Sequence, residues 1–162
     1  MQMKDEDLEA FLFDYYYDIT DCEEYPTELT LPLEQRADLL EKLEKYVADI
    51  EDINQGECFN PLMTAVANCD APMTEYLIEH GASVFYWPEM DEESIDSNYY
   101  LDDLDINFFH QSWSGQRFAD AIIATAKVIV TKGGYNENYG GFCLKIDAKE
   151  REITLNPPRV KF

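Results

Sequence analysis

The chain has 162 residues, 34 Asp and Glu against 12 Lys and Arg, and a formal net charge of −22. One domain is expected at this length, large enough to bury a core without a metal or disulfide staple. With 46% hydrophobic and 14% aromatic residues the chain is too apolar for a disordered acidic tail, and its charge argues against bare nucleic acid or an anionic membrane as a direct partner.

Asp7 to Ile19 places Leu8, Phe11, Leu12, Tyr15, Tyr16 and Ile19 at i, i+3, i+4, i+7 spacing, which predicts an amphipathic helix. Asp21 to Pro26 breaks it. A second helix is expected from Pro32 to Ile53, with Leu33, Ala37, Leu40, Leu43, Tyr46, Val47 and Ile50 on one face and Gly56 as its stop. Asn60-Pro61 then reads as the N-cap and first position of a short helix that turns Leu62 and Ala65 inward. Met73 to His80 forms the next helix and Gly81 closes it. Phe118 to Lys132 is again apolar at helical spacing, and Ile129-Val130 before Gly133 repeats Leu77-Ile78 before Gly81. The partner helix of that second copy is expected near Leu104 to Trp113. Gly133-Gly134 and Gly140-Gly141 bracket a turn. Phe142, Leu144 and Ile146, then Ile153 and Leu155, alternate about Asp147–Glu150 and predict a hairpin, which Pro157-Pro158 ends.

Two of these motifs resemble the ankyrin repeat. Asn60-Pro61-Leu62-Met63-Thr64-Ala65 is similar to the family's Thr-Pro-Leu-His-x-Ala opening, and Leu77 to Val84 to its Leu-Leu-x-x-Gly-Ala-Asp-Val close. Asn60, Met63 and Cys69 depart from the family's Thr, His and Gly. Gly81 and Gly133 stand 52 residues apart; against a period of about 33 this leaves an insertion of about 19 residues in the acidic stretch. The resemblance implies a mainly α fold in a single domain, 1–162. Two N-terminal helices (1–55) would cap two divergent ankyrin-like helix pairs (56–134), with an acidic insertion near 85–105 and a C-terminal β-hairpin (135–162).

No nucleophile elbow, Walker loop, His-Glu-x-x-His or dinucleotide fingerprint occurs, so a non-enzymatic role without a cofactor is expected. Asp96-Ser97-Asn98 begins like a calcium loop, but Leu101 stands where Gly is needed and Asn107 where Glu is needed. Cys22, Cys58, Cys69 and Cys143 form no Cys-x-x-Cys, and neither His80 nor His110 completes a zinc spacing. The acidic start carries no signal-peptide pattern. Four reduced thiols in a cytoplasmic protein are therefore expected.

Charge is unevenly distributed. Residues 1–30 carry a net −9; Tyr46 to Gln116 hold fifteen acids and neither Lys nor Arg; residues 117–162 carry a net +3. Within the cation-free stretch Glu89, Asp91, Glu92, Glu93, Asp96, Asp102, Asp103 and Asp105 interleave with Trp87, Tyr99 and Tyr100, and these eleven residues are the candidate partner-binding surface. Asp14-Tyr15-Tyr16-Tyr17-Asp18 repeats the composition. Such a field steers Arg- and Lys-rich surfaces, and Tyr and Trp offer rigid area on which Arg stacks. The expected function is an inhibitor that docks on a basic, nucleic-acid-binding surface of a toxin or defence nuclease. Small acidic ankyrin-like chains resemble immunity proteins against bacterial toxins. An acid-aromatic globule also resembles phage DNA mimics, including anti-CRISPR and anti-restriction proteins. A weak divalent-metal-binding protein or an enzyme is the alternative of another class.

Overall fold

Leu8, Leu12 and Tyr16 recur every four residues, and that stripe fixes α1, Asp5–Ile19, against the rest of the chain. The computed structural model describes residues 5–20, 23–36, 38–54, 59–87, 98–110, 113 and 115–156, the side chains of 5–7 excepted. Among them the remaining helices are α2 (Leu39–Asp49), α3 (Pro61–Ala67), α4 (Ala71–Glu79), α5 (Tyr99–His110) and α6 (Gln116–Thr131). Three short strands follow: β1 (Tyr139–Gly140), β2 (Leu144–Asp147) and β3 (Glu152–Leu155). The fold is mainly helical with a small C-terminal antiparallel sheet, as the sequence predicts.

Local chemistry sets the helix ends. Asn60 caps α3 by accepting from the Met63 N–H at 2.8 Å, with Pro61 at the first position where no N–H is missed. Asp70 caps α4 in the same way, accepting from the Met73 N–H at 3.3 Å. After α4, Gly81 takes φ +105° while the Gly81 and Ala82 N–H groups bond back to Ile78 and Leu77, a Schellman ending. The expected second copy is offset by one residue. After α6 it is Gly134 that takes a positive φ, +76°; Gly133 is small because a Cβ there would lie 2.7 Å from Val84 Cγ1.

Consecutive helices pack in two pairs, α3 with α4 and α5 with α6. α1, α3 and α5 pack side by side as one layer, and α4 lies on α6 in the other. Leu62, Leu77, Leu104, Ile122 and Ala126 meet between the layers with no exposed surface. The sheet, in the order β1-β2-β3, lays Leu144 and Ile146 of β2 onto this core, with Leu144 opposite Leu155 and Tyr139 opposite Ile146. The hairpin Phe142–Leu155 is found with β1 added, where only a glycine-bounded turn was expected.

The second N-terminal helix is not continuous from Pro32 to Ile53. A 3-10 turn, Leu33–Gln35, is followed by Arg36 in an extended conformation and Asp38 at φ 54°, and only then does α2 begin. The cause is Arg36, which leaves the helical path to enter the interior. Its guanidinium meets Asp70 in a two-pronged pair, Nη1–Oδ2 2.6 Å and Nη2–Oδ1 2.8 Å, with neither side chain exposed. Nε donates to the Leu31 carbonyl, Nη2 to the Leu29 carbonyl and Nη1 to the Tyr15 hydroxyl, so all five N–H groups have acceptors. Asp70 also accepts from the Tyr16 hydroxyl at 2.7 Å. Burial works against the Arg36 charge, but the hydrogen bonds and attraction of Asp70 outweigh it and hold the guanidinium protonated. Ala37, Gly56 and Pro157-Pro158 lie outside the described residues.

Breaking a buried pair leaves an uncompensated charge and typically costs about 3–5 kcal/mol. Asp70→Asn is therefore expected to lower the unfolding free energy by about that amount, measured by urea denaturation at neutral pH. A loss below about 1 kcal/mol, the scale of an exposed ion pair, would place Arg36 outside the core.

Candidate protein-binding face

The eleven residues singled out in the sequence separate into three groups. Glu89, Asp91, Glu92, Glu93 and Asp96 lie outside the described residues. Trp87, Tyr100, Asp102 and Asp105 are engaged within the fold. Tyr99 remains at the surface of α5, and Asp103 is half-buried with its Oδ2 turned away from solvent.

For Tyr100 and Asp105 the structure corrects the expectation of a contact surface. Tyr100 is buried; its hydroxyl donates to the Tyr86 carbonyl at 2.7 Å and accepts from Asn60 Nδ2 at 3.2 Å. Asp105 is buried too, and its carboxylate accepts the backbone N–H groups of Phe142, Cys143 and Leu144 at 2.7–2.8 Å. A Cβ on Gly141 would overlap that carboxylate, so glycine is required for the close approach. Asp105 thus ties the start of β2 to α5. Asp102 accepts from the Tyr139 hydroxyl at 2.6 Å and ties β1 to the same helix. Trp87 is half-buried, its ring 5.4 Å from Tyr99 and 5.1 Å from Tyr100, and it seals the edge of the core. Alternation and composition could not separate these internal carboxylates from solvated ones, because their partners lie 37–39 residues away.

What the outer side of the α1–α3–α5 layer presents instead is a set of exposed apolar side chains. Phe13 is 61% exposed and Tyr17 71%, their rings stacked at 6.4 Å on the side of α1 away from Leu8 and Leu12. Phe59, just ahead of α3, is 50% exposed, and Ile106 of α5 is 47% exposed. Tyr99, Ile106 and His110 share one outward stripe of α5 by their spacing. Asn107 Nδ2 donates to the Ala67 carbonyl and locks α5 beside the end of α3. Near the end of α5, the Phe109 ring lies tilted against the exposed Phe142 at 4.9 Å. Single exposed hydrophobics are ordinary, but several on one layer make it the candidate contact face. A signal for Phe13 and Tyr17 was present in the sequence: both are apolar, four residues apart, and off the stripe that α1 buries.

The two flanking helices of the layer are anionic. α1 has six acids and α5 three, and none of α1, α3, α4 and α5 contains a Lys or Arg. By contrast α6 carries Arg117 and Lys127, and the α4–α6 side holds Lys132 near Glu75 and Glu79 at 3.9 and 3.8 Å.

Cys69 and Cys143 are buried, free thiols; burial first, then the Asp103 and Asp70 carboxylates, push the Cys69 thiol well up, and burial and Asp105 raise Cys143. Cys22 and Cys58 lie outside the described residues. Among the described residues no three His, Cys, Asp or Glu side chains come together as a metal site, and no helix is long and apolar enough to cross a membrane. Comparison with family models, with curated proteins and with solved structures finds no match.

One carboxyl here has a distinct titration. Asp103 Oδ2 is buried with no hydrogen-bond partner among the described residues, and burial pushes the group up to about 6 from 3.8. Between about pH 4 and 6 the folded protein holds a proton that the unfolded chain has released, so this group's contribution to stability falls as pH rises through that window. Asp103→Asn removes the penalty. It is expected to stabilise the fold by about 1–2 kcal/mol at pH 7.5, discounted for partial exposure, and to change nothing at pH 4. Thermal melts of both proteins at the two pH values check this; a variant less stable than wild type at pH 7.5 would contradict it.

Proposed function

We propose that the chain is a non-enzymatic, cytoplasmic inhibitor that docks its acid-aromatic layer on the basic, nucleic-acid-binding surface of a partner nuclease. The observation that carries this reading is the layer itself: Phe13 and Tyr17 on α1, Phe59 ahead of α3, and Tyr99 and Ile106 on α5 are exposed, where α1 and α5 carry acids and none of the three helices carries a Lys or Arg. Carboxylates supply the long-range field that draws a basic surface in, and the aromatics supply the short-range area that holds it. A surface used only for solubility would favour mixed charges and few exposed aromatics.

An ankyrin-like immunity protein is the setting this favours. The stacking of α3 beside α5 and of α4 on α6 supports the repeat reading. In this reading the acidic segment around Glu89–Asp96, which lies between α4 and α5 in the sequence, is a second contact element. Tyr100 and Asp105 position α5 and do not touch the partner.

The test starts from capture of basic proteins on the immobilised chain at about 50 mM salt. A captured nuclease is expected to lose its cleavage activity, to be released by excess duplex DNA, and to associate roughly tenfold more slowly at about 150 mM salt. Asp14→Lys with Asp18→Lys should weaken the complex at least as much as reversing Asp91, Glu92 and Glu93. A complex indifferent to DNA and to salt would overturn the reading; a defence nuclease in place of a toxin would assign the phage-mimic setting.

A further inference from the structure

The aromatic layer carries a concave feature. Between α1 and the entry to α3 lies a depression of about 310 Å³, lined by Glu9, Ala10, Phe13, Asp14, Phe59 and Thr64. Two aromatic rings, both half or more exposed, therefore share a small hollow with two carboxylates, on helices that carry no cation of their own.

Each class of occupant can be weighed against those walls. A purely apolar plug would cover Phe13 and Phe59 but would also strip water from Asp14 without giving it a hydrogen bond, a loss that offsets the gain. A lysine would answer the carboxylate, but its compact, strongly hydrated ammonium covers little of the two rings. An arginine meets both demands. Its planar guanidinium lies flat on an aromatic face while its N–H fork bonds a carboxylate in the same plane, and its aliphatic stem covers apolar surface such as Ala10 and the Thr64 methyl.

The larger hollow of the molecule makes the contrast. It measures about 780 Å³, between the 3-10 turn Leu33–Gln35, α2, α4 and α6, and its walls mix Glu44, Glu75 and Glu79 with Lys127 and Lys132. There the chain answers its own carboxylates, Lys132 lying within 4 Å of Glu75 and Glu79. In the smaller hollow no cation of the described chain takes part in the lining.

We infer that this hollow is an arginine-anchoring pocket, in which a partner's arginine stacks on Phe13 and Phe59 and pairs with Asp14. The inference rests on the proposed docking function and adds to it the identity of the central contact. Tyr17, stacked on Phe13, holds that ring in place and extends the stacking surface by one turn of α1. Asp18, one turn beyond Asp14, prolongs the row of carboxylates, so a segment with arginines at regular intervals fits better than a single free arginine. The layer thereby reads guanidinium in preference to positive charge in general.

Two synthetic peptides test this: a 12-residue Gly-Ser sequence carrying four evenly spaced arginines, and the same sequence with four lysines. Binding of each to the full chain is measured by titration calorimetry at low salt. The arginine peptide is expected to bind about 2–5-fold more tightly, the preference that exposed cation–π contacts provide. Phe13→Ala with Phe59→Ala should bring the two peptides to equal affinity. Both rings are largely exposed, so the fold should persist, and far-UV dichroism verifies it. Phe142→Ala, an exposed aromatic outside the hollow, should leave the preference intact. Asp14→Asn should weaken both peptides. Equal affinities in the wild type, or a preference that survives the Phe13/Phe59 double variant, overturn the arginine pocket while leaving an anionic docking face standing. Failure of both peptides to bind overturns the pocket and the docking function together.

Discussion

The pair between Arg36 and Asp70 is the constraint on which the rest of the structure depends. One carboxylate caps α4, receives the Tyr16 hydroxyl of α1, and holds a guanidinium that reaches in from the segment before α2. Tyr15 extends the network, donating to Glu28 at 2.6 Å while accepting from Arg36. Tyr25 closes it from the other side by donating to the Cys69 carbonyl at the turn between α3 and α4. Four segments of chain are thereby fixed around the start of one helix. A buried ion pair is weak evidence of net stability, since its desolvation offsets its attraction. Its value here is geometric: with all five guanidinium N–H groups bonded, only one placement of α1 satisfies them, and α1 carries half of the proposed contact layer.

Asp105 performs the corresponding task at the other end of the chain. Three backbone N–H groups at the start of β2 have no strand partner on that side, and the carboxylate receives them all. Asp102 and Asn107, on neighbouring turns of α5, bond β1 and α3. α5 is thus held from both flanks, which leaves the stripe of Tyr99, Ile106 and His110 facing outward on a rigid support. Rigidity matters for a docking face, because side chains already in place lose less freedom on binding. A chain of net charge −22 therefore uses its acids in two ways: a few tie distant segments together in the interior, and the many others create the external field.

Much of this fold is legible in the sequence, and the illegible parts share a cause. α1, α3, α4 and α6 announce themselves through local signals: the four-residue stripe in α1, Asn60-Pro61 before α3, Leu77 and Gly81 at the end of α4. The break at Arg36 is invisible to periodicity, because Leu33, Leu40, Leu43 and Val47 suit one helix and the residue that draws Arg36 away is 34 positions later. Asp105 misleads for the same reason. Composition groups it with Asp102 and Asp103 as a solvated acid, whereas one side of α5 faces β2, one faces α3, and only the strip between them faces water. The candidate surface followed charge density toward Glu89–Asp96, and so left out Phe13 and Phe59 and kept Tyr17 only as part of the secondary run Asp14–Asp18. Their signal was of another kind: apolar residues outside the stripe that the helix needs for its own packing.

The claim that the α1–α3–α5 layer is the contact face is tested most directly by amide chemical-shift mapping of the full chain during titration with a nuclease it inhibits. The account predicts that the shifted resonances cluster at residues 9–18, 59–64 and 99–106, while those of α6 and of Glu152–Leu155 stay in place. Shifts concentrated instead along α2, α4 and α6, with α1 unmoved, would contradict it.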